Sequence, residues 1–573
     1  MPTYDPYLAE RLETRAPGFA RYRGDLNAFR EWVRTAVDAQ AATTDHDAPP
    51  RLETYDRDGR VVNRIIANPT YTAQHQEVYA RGLVGRPYRD GAPHLLSFAM
   101  GYLLSQADIS LHCPATLTGA VAYVLGHFAP PPVRARYLDA VTRMDGHTAT
   151  GGTWATELHG GSDVGATTTE ARRTATGNGT GDGSDPSPAR FALHGLKWFT
   201  SNANSGLALA TARPTGAASD SSGIGLYLVP SHRDDGSVNQ YRIRRLKEKL
   251  GTIGLPTGEI ELLGAEAVEV APPPDGFRLM LEALTYSRVH NAASAAGAQR
   301  RALDEACAWA TQRHAFGHAI VDYPMVRDTL VDEAVRWRAG TLLAFEAAIT
   351  LDAALGDPTR RAWLRLSTAL AKYLTAEDAV AATRSTLELI GGNGYTRDYP
   401  AERLLRDAQV LTVWEGPANI QALELVRLLH PRHGGVDAYS ARISSVLAAC
   451  DVGGASGTLA SLRATLAGRL AGDQHALRVT TASPDAGRVY ARQLLHRLAQ
   501  SLALALLVED AATHTVAGDP VPAATARVYA ELLDPPVFGA DARDARDVVC
   551  DALLREVDGT APYAGAPVRA LDA

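Results

Sequence analysis

The 573-residue sequence predicts an α+β protein: a helical region, a compact β module, a second helical bundle and a helical extension. Three observations carry that reading. Long, apolar, alanine-rich stretches with helical spacing fill the chain before about residue 150 and again after about 275. Between them the composition turns to glycine, threonine and alternating apolar residues, as strands and tight turns require. "HPRHGG" at 430–435 then stops a helix and sets off an alanine- and leucine-rich tail. The boundaries that follow are 1–150, 151–275, 276–432 and 433–573.

Each part has its own signature. In the first, "LSFAMGYLLSQADISLHCPATLTGAVAYVLGHFA" reads as buried helix, and "PPPVRARYLDAV" as a helix opened by proline, whose missing N–H costs nothing in a first turn. In the second, "ARFALHGLKWFTSNA", "SGLALATARP", "GIGLYLVPS" and "TGEIELLGAEAVEV" read as strands, and "ATGNGTGDGSDPSPA" (175–189) as a mobile surface loop. After "APPPDGF" (271–277), "GAQRRALDEACAWATQRHAF" and "AVRWRAGTLLAFEAAITLDAAL" return to the helical period.

The balance of residues excludes several classes. With 46% hydrophobic residues and a net charge of −7, nothing in the overall charge recruits nucleic acid. The longest apolar run, within "SLALALLV" at 501–508, is too short to span a bilayer, so no membrane role is expected. The first residues are charged from position 5 and lack an apolar signal core, which makes a cytoplasmic location the expectation. Cys113, Cys307, Cys450 and Cys550 are scattered, so neither a disulfide framework nor a zinc site is expected. His159, His314 and His318 make no metal-ligand spacing.

Five stretches carry possible chemistry, each with a plainer reading beside it. "TWATELHGGSDVGATTTEARR" (153–173) places hydroxyls and exposed N–H groups on a glycine turn that a flavin or pyrophosphate can approach; a self-capped loop reads equally well. In "GLKWFTSNA" (195–203), strand alternation sends Trp198 and Phe199 to opposite faces, one to the core and one over a flat ligand, or both into packing. "RHAFGHAIVDYPM" (313–325) sets Arg313 and Phe316 three apart, able to grip a diphosphate and stack on adenine, or to form a helix cap with Gly317. Gly391, Gly392 and Gly394 after an apolar helix suit a phosphate or an ordinary helix-ending turn. Glu415 stands in "TVWEGPANI" (412–420), just outside a helix, either solvated or aimed at a ligand.

In order and spacing, "TELHGGSDV", "KWFTSNA", "RHAFG" and "IGGNGYTRDYPAERLLRDAQVLTVWEGPANI" resemble the acyl-CoA dehydrogenase family of flavoproteins, and within it the AidB-like, adaptive-response branch. The resemblance spans roughly residues 70–430, and the tail is similar to that branch's extra C-terminal domain. It implies a helical bundle, a β-barrel-like module and a second bundle, with non-covalent FAD between them, in a homotetramer that shares FAD across subunits. It further implies flavin contacts from Trp154, Thr156, Ser162, Phe199, Ser201 and Asn419. Arg313, Phe316, Glu388, Gly391 and Gly392 match the contacts to a neighbour's FAD nucleotide. Ser162, Arg288 and Trp414 match the substrate side, and Glu415 matches the catalytic base.

Such a base removes the α-proton of an acyl thioester while the β-hydride leaves to flavin N5. A free carboxylate is too weak for that, so burial must raise its proton affinity and hydrogen bonds must polarise the thioester carbonyl. In the family these bonds come from the flavin ribityl hydroxyl and the N–H of the base. Ser287, before Arg288, offers no rival base. Thr285 replaces the usual acid, and Pro324 the common glutamine, which leaves the acyl carrier, CoA or another, open. The electron acceptor is open too. Two other readings stand beside this one: a flavin oxidase or N-oxygenase on the same scaffold, and a DNA-binding flavoprotein. Residues 436–573 carry 12 Arg and no Lys against 16 Asp and Glu, a balance of −4 that ranks DNA binding low.

Overall fold

The computed structural model of the chain describes residues 4–174, 188–450, 457–515, 518–535 and 543–558. The glycine-rich stretch expected as a loop therefore lies, but for its last two residues, outside the described residues. The chain forms two compact units, one of residues 40–97 and 108–287, the other of 1–39, 98–107 and 288–573. The N-terminal helical region thus contributes to both.

The first unit is built around a seven-stranded sheet. Strand Leu207–Pro214 pairs with Glu170–Arg173, which pairs with Arg190–Ser201, then Thr257–Ala271, then Gly225–Pro230, which pairs back onto Leu207–Pro214. The path closes on itself, so the β-barrel-like module expected from the sequence is present. Closure removes the open edges that invite aggregation. Gly151–Trp154 runs parallel to Leu207–Pro214, and Tyr241–Leu246 lies on Thr257–Ala271. Inward residues of successive strands, among them Phe191, Leu193, Tyr227, Tyr241, Ile243, Ile260 and Leu262, fill the core. Full burial of each contributes roughly 1.5–3 kcal/mol.

Two local signals in this unit are physically clear. Asp108 caps helix Ile109–His127 by accepting from the Ser110 and Leu111 N–H groups at 2.7 and 3.2 Å. Helix Pro131–Thr142 begins on proline as expected. A hairpin, Arg51–Tyr55 with Val61–Ile66, interrupts the helical region and packs Leu52 and Ile65 on the sheet core.

Among the described residues, the second unit is all helical apart from a two-strand ribbon at His314–Ala315 and His318–Ala319. Its long helices include Asp275–Gln312 from residue 288 onward, Pro324–Gly356, Arg361–Ile390 and Pro484–Thr515. Helix Arg361–Ile390 stops at Gly391 (φ 73°). Gly434 (φ 66°) ends the turn after helix Ala418–Leu428. Helices Ile109–His127 and Pro324–Gly356 are long and apolar enough to cross a membrane, but they are mostly buried and serve as core of their units.

Candidate active site

In the helical unit, helix Ala401–Leu411 runs out into a turn and helix Ala418–Leu428 starts after Pro417. Between them Glu415 (φ 58°) and Gly416 (φ 98°) are both left-handed. That costs a glutamate about 1–2 kcal/mol, so something must hold it there. The turn is held by its carbonyls. Glu415 O accepts from Arg288 Nε at 2.9 Å and from Gln421 Nε2 at 3.0 Å. Gly416 O accepts from Lys372 Nζ at 2.8 Å and from Gln421 Nε2 at 3.0 Å. Gly416 favours glycine through its φ of 98°, and a Cβ there would stand 2.8 Å from Gln421 Nε2.

The donors therefore bind the backbone and leave the carboxylate alone. Glu415 Oε2 is buried with no hydrogen-bond partner among the described residues, as is Trp414 Nε1 beside it. Burial pushes the Glu415 carboxyl up to about 7, although the positive charges of Arg288 and Lys372 pull the other way. Burial and Arg288 bring Lys372 down to about 7, opposed by Glu415. A half-buried carboxyl with a buried, unpartnered Oε2 that changes charge near neutrality can take a proton from carbon.

In the β unit, the turn after Trp154 is fixed by a buried ion pair. Lys197 Nζ donates to Glu157 Oε1 at 2.8 Å and to Thr211 O at 2.7 Å. Glu157 also accepts from the N–H and hydroxyl groups of Thr168 and Thr169. Burial raises the Glu157 carboxyl, but Lys197 and these donors outweigh it and hold it down at about 2. Thr156 O accepts from Trp198 N–H at 2.9 Å, which sets Thr156 beside the Trp198–Phe199 strand. Ser162 is exposed on the same turn. A Cβ on Gly160 would meet the Asp163 carbonyl at 2.8 Å, so the turn needs glycine. Ser201 Oγ lies 3.2 Å from Thr257 Oγ1.

Two expectations are corrected here. Trp154 is 1% exposed, with its ring edge-on to Tyr241 in the sheet core; a large inward-facing aromatic is core before it is a ligand contact. Trp198 and Phe199 do not simply alternate. A bulge between Lys197 and Thr200 breaks the period, and Lys247 Nζ sits 3.4 Å from the Trp198 ring centre and 4.9 Å from that of Phe199. Phe199 is 55% exposed.

The remaining candidates stand at helix ends of the helical unit. Arg313 precedes the ribbon whose turn is Phe316 (φ 52°) and Gly317 (φ 91°), so Gly317 closes a hairpin rather than a helix. Phe316 is 95% exposed. Glu388 pairs with Arg384 at 2.8 Å on the surface. Gly391 and Gly392 are exposed and open where a Cβ would stand. Asn419 is exposed on the first turn after Pro417. Arg288, expected on the substrate side, spends its Nε on the Glu415 carbonyl.

The structure thus brings Glu415 and Arg288 together beside Trp414 in the chain, and separately bonds Thr156 to the strand that carries Phe199. Sequence reasoning missed Lys372, Gln421, Glu157 and Lys197. A lysine inside the apolar run "STALAKYLTA" was the available sign for Lys372.

Comparison with known proteins bears on this arrangement. Residues 3–145 match the family model described as the adaptive response protein AidB N-terminal domain. Residues 152–264 match the acyl-CoA dehydrogenase middle domain, and 274–429 its C-terminal domain. The chain is 30% identical over 461 residues to acyl-CoA dehydrogenase family member 11 of Caenorhabditis elegans, covering 77% of this chain and 73% of that one. It is 29% identical over 427 residues to the putative acyl-CoA dehydrogenase AidB of Escherichia coli K12, covering 72% and 75%. The crystal structure of Caenorhabditis elegans ACDH-11 in complex with C11-CoA superposes with a TM-score of 0.83 at 27% identity, over 92% of this chain and 90% of that one.

Proposed function

The chain belongs to the acyl-CoA dehydrogenase family of oxidoreductases, in the branch with an AidB N-terminal domain, and we propose that it oxidises the Cα–Cβ bond of an acyl thioester with Glu415 as the base. The observation that carries this is the buried, unpartnered Oε2 of half-buried Glu415, on a turn clamped through its backbone carbonyls.

Taken separately, each unit carries residues that fit parts of FAD. Phe199 and Phe316 hold large aromatic faces out to solvent, which suits a flat ring system. Gly391 and Gly392 leave backbone that a phosphate can approach closely. Thr156, Ser162, Ser201 and Asn419 add hydroxyl and amide groups for its polar edges, and Arg313 a cation for its phosphates. When bound, FAD supplies the acceptor for the β-hydride.

The protein's own contribution is positioning and proton transfer. Glu415 takes the α-proton on its carboxylate. Its N–H is not used by the fold among the described residues and is available to polarise the thioester carbonyl. Arg288, Lys372 and Gln421 hold the turn while its charge changes. The thioester is proposed by analogy with the relative bound to C11-CoA. Thr285 and Pro324 leave CoA and carrier-bound pantetheine as the two forms to compare. The exposure of Arg313 and Phe316 supports a homotetramer in which a neighbouring subunit covers them. The buried free cysteines support a reducing, cytoplasmic setting.

The test is anaerobic titration of the flavin-loaded protein with saturated acyl-CoA and acyl-pantetheine thioesters. The wild type is expected to bleach. Glu415→Gln is expected to keep its flavin and to bleach roughly 10²–10⁴ times more slowly. A wild type bleached by no thioester, or a variant bleached at the wild-type rate, overturns the reading.

A further inference from the structure

Lys372 is the least expected group at this site. It stands in the middle of helix Arg361–Ile390, 1% exposed, between Tyr373 and a run of alanine and leucine. Burying an ammonium is costly, and buried lysines are ordinarily paired with a carboxylate. Here, among the described residues, no carboxylate lies within ion-pair distance of it. Its hydrogen bond goes to a neutral acceptor, the Gly416 carbonyl, one residue past the base. A helix that needed only packing would be served by leucine or methionine, which carry no desolvation penalty.

The surroundings say what the charge does. Glu415 faces two cations, Arg288 from helix Asp275–Gln312 and Lys372 from helix Arg361–Ile390. Neither makes a direct ion pair with the carboxylate, whose Oε2 stays open. Arg288 is itself balanced by Glu424 on helix Ala418–Leu428, with Arg365 and Arg427 around that pair. Glu377, five residues along the same helix, also acts on Lys372, less than Glu415 does. Arg288 therefore shares its field with Glu424, while Lys372 has Glu415 as the first carboxylate acting on it.

We propose that Lys372 is a positioning residue for proton abstraction: it pins the Glu415–Gly416 turn through the Gly416 carbonyl and, while it carries its proton, supplies a through-space positive charge that favours the ionised form of Glu415 without tying up its oxygens. A direct ion pair would do the first task and ruin the second, because a paired carboxylate loses its basicity. This deepens the proposed function and rests on Glu415 being the base.

The experiment has two arms. The first reads the carboxyl itself. Infrared difference spectra of wild type minus Glu415→Gln, taken across pH 5 to 10, report the protonation of Glu415 whether or not any thioester reacts. The wild-type carboxyl is expected to titrate near neutrality, and that of Lys372→Met at least one pH unit higher, the usual effect of an opposite charge within about 4–6 Å. Lys372→Arg, which keeps the charge, is expected to return it toward the wild-type value. The second arm reads anaerobic bleaching as a function of pH. Lys372→Met is expected to fall roughly tenfold at pH 7 and to recover at alkaline pH.

A loss that alkaline pH does not restore would make Lys372 a packing residue. A carboxyl unmoved in Lys372→Met would overturn the electrostatic role, and so would a wild-type carboxyl titrating above pH 9. The last outcome requires no Lys372 variant to fold. Failure of the wild type to bleach, with the infrared shift intact, would instead indict the proposed reaction.

Discussion

Glu415 combines three conditions that oppose one another: a left-handed backbone, a buried carboxyl and proximity to two cations. The backbone strain is carried by Gln421, Arg288 and Lys372 acting on two adjacent carbonyls. Gly416→Ala places a Cβ 2.8 Å from Gln421 Nε2 in a backbone region that alanine disfavours. It is expected to cost about 1–3 kcal/mol in thermal unfolding and to lower the bleaching rate, because the clamp must open. The raised carboxyl has a stability consequence as well. Folded Glu415 holds its proton to about pH 7, against 4.5 for the free side chain. The native state therefore binds more protons than the unfolded chain within that window, and stability falls as pH rises through it. Glu415→Gln is expected to melt higher than wild type at pH 8 and at the same temperature at pH 4. A variant that melts lower at pH 8 would contradict the burial argued for the carboxyl.

At the scale of elements, the Glu157–Lys197 pair explains how a glycine-rich turn becomes a rigid wall. Removing one partner strands a buried charge, so Lys197→Met is expected to cost about 3–5 kcal/mol by thermal melting, with part of that returned by a second change, Glu157→Gln. The same scale shows what the sequence made legible. Strands with apolar alternation, such as Arg190–Ser201 with Phe191 and Leu193 inward, were readable, as were the proline-opened and glycine-ended helices; Tyr241–Leu246, with arginine at three of its six positions, was not read as a strand. The Arg51–Ile66 hairpin was not foreseen, although Asp58-Gly59 between two apolar runs is a turn signal; the surrounding helical texture masked it. The Lys197–Thr200 bulge was not readable at all, because a bulge is set by the partner strand and leaves no period of its own. Glu415 was found through its place between tryptophan, glycine and proline. Lys372 was passed over because a single lysine in a helix ordinarily points to water, and only the fold shows where it ends.

For the whole molecule, the C-terminal extension is bound into the helical unit by charge. Glu556 takes Arg338 at 2.8 Å and Arg300 at 3.4 Å, both arginines being buried, while Arg543 and Arg546 pair with Asp328 and Asp332. Glu556→Ala leaves two buried guanidinium groups without that partner and is expected to lower the melting temperature markedly, by a loss of about 3 kcal/mol or more. A melting temperature within a degree of wild type would contradict the docking role. The same pairs bear on nucleic acid. Arg442, Arg497, Arg527, Arg543 and Arg546, five of the tail's 12 arginines, are engaged with protein carboxylates, and the tail as a whole is acidic, which disfavours counterion release from a duplex. Mobility-shift titration at low salt is expected to show no duplex binding; salt-dependent micromolar binding would contradict that.

The most direct test of the central claim is the rate at which an acyl thioester bleaches the anaerobic flavoprotein, measured from pH 5 to 9 in wild type and Glu415→Gln. The expected result is a rate that rises to a plateau with a midpoint near pH 7 in the wild type, and no such rise in the variant. A pH-independent wild-type rate, or the same profile in both proteins, would show that some other group takes the proton.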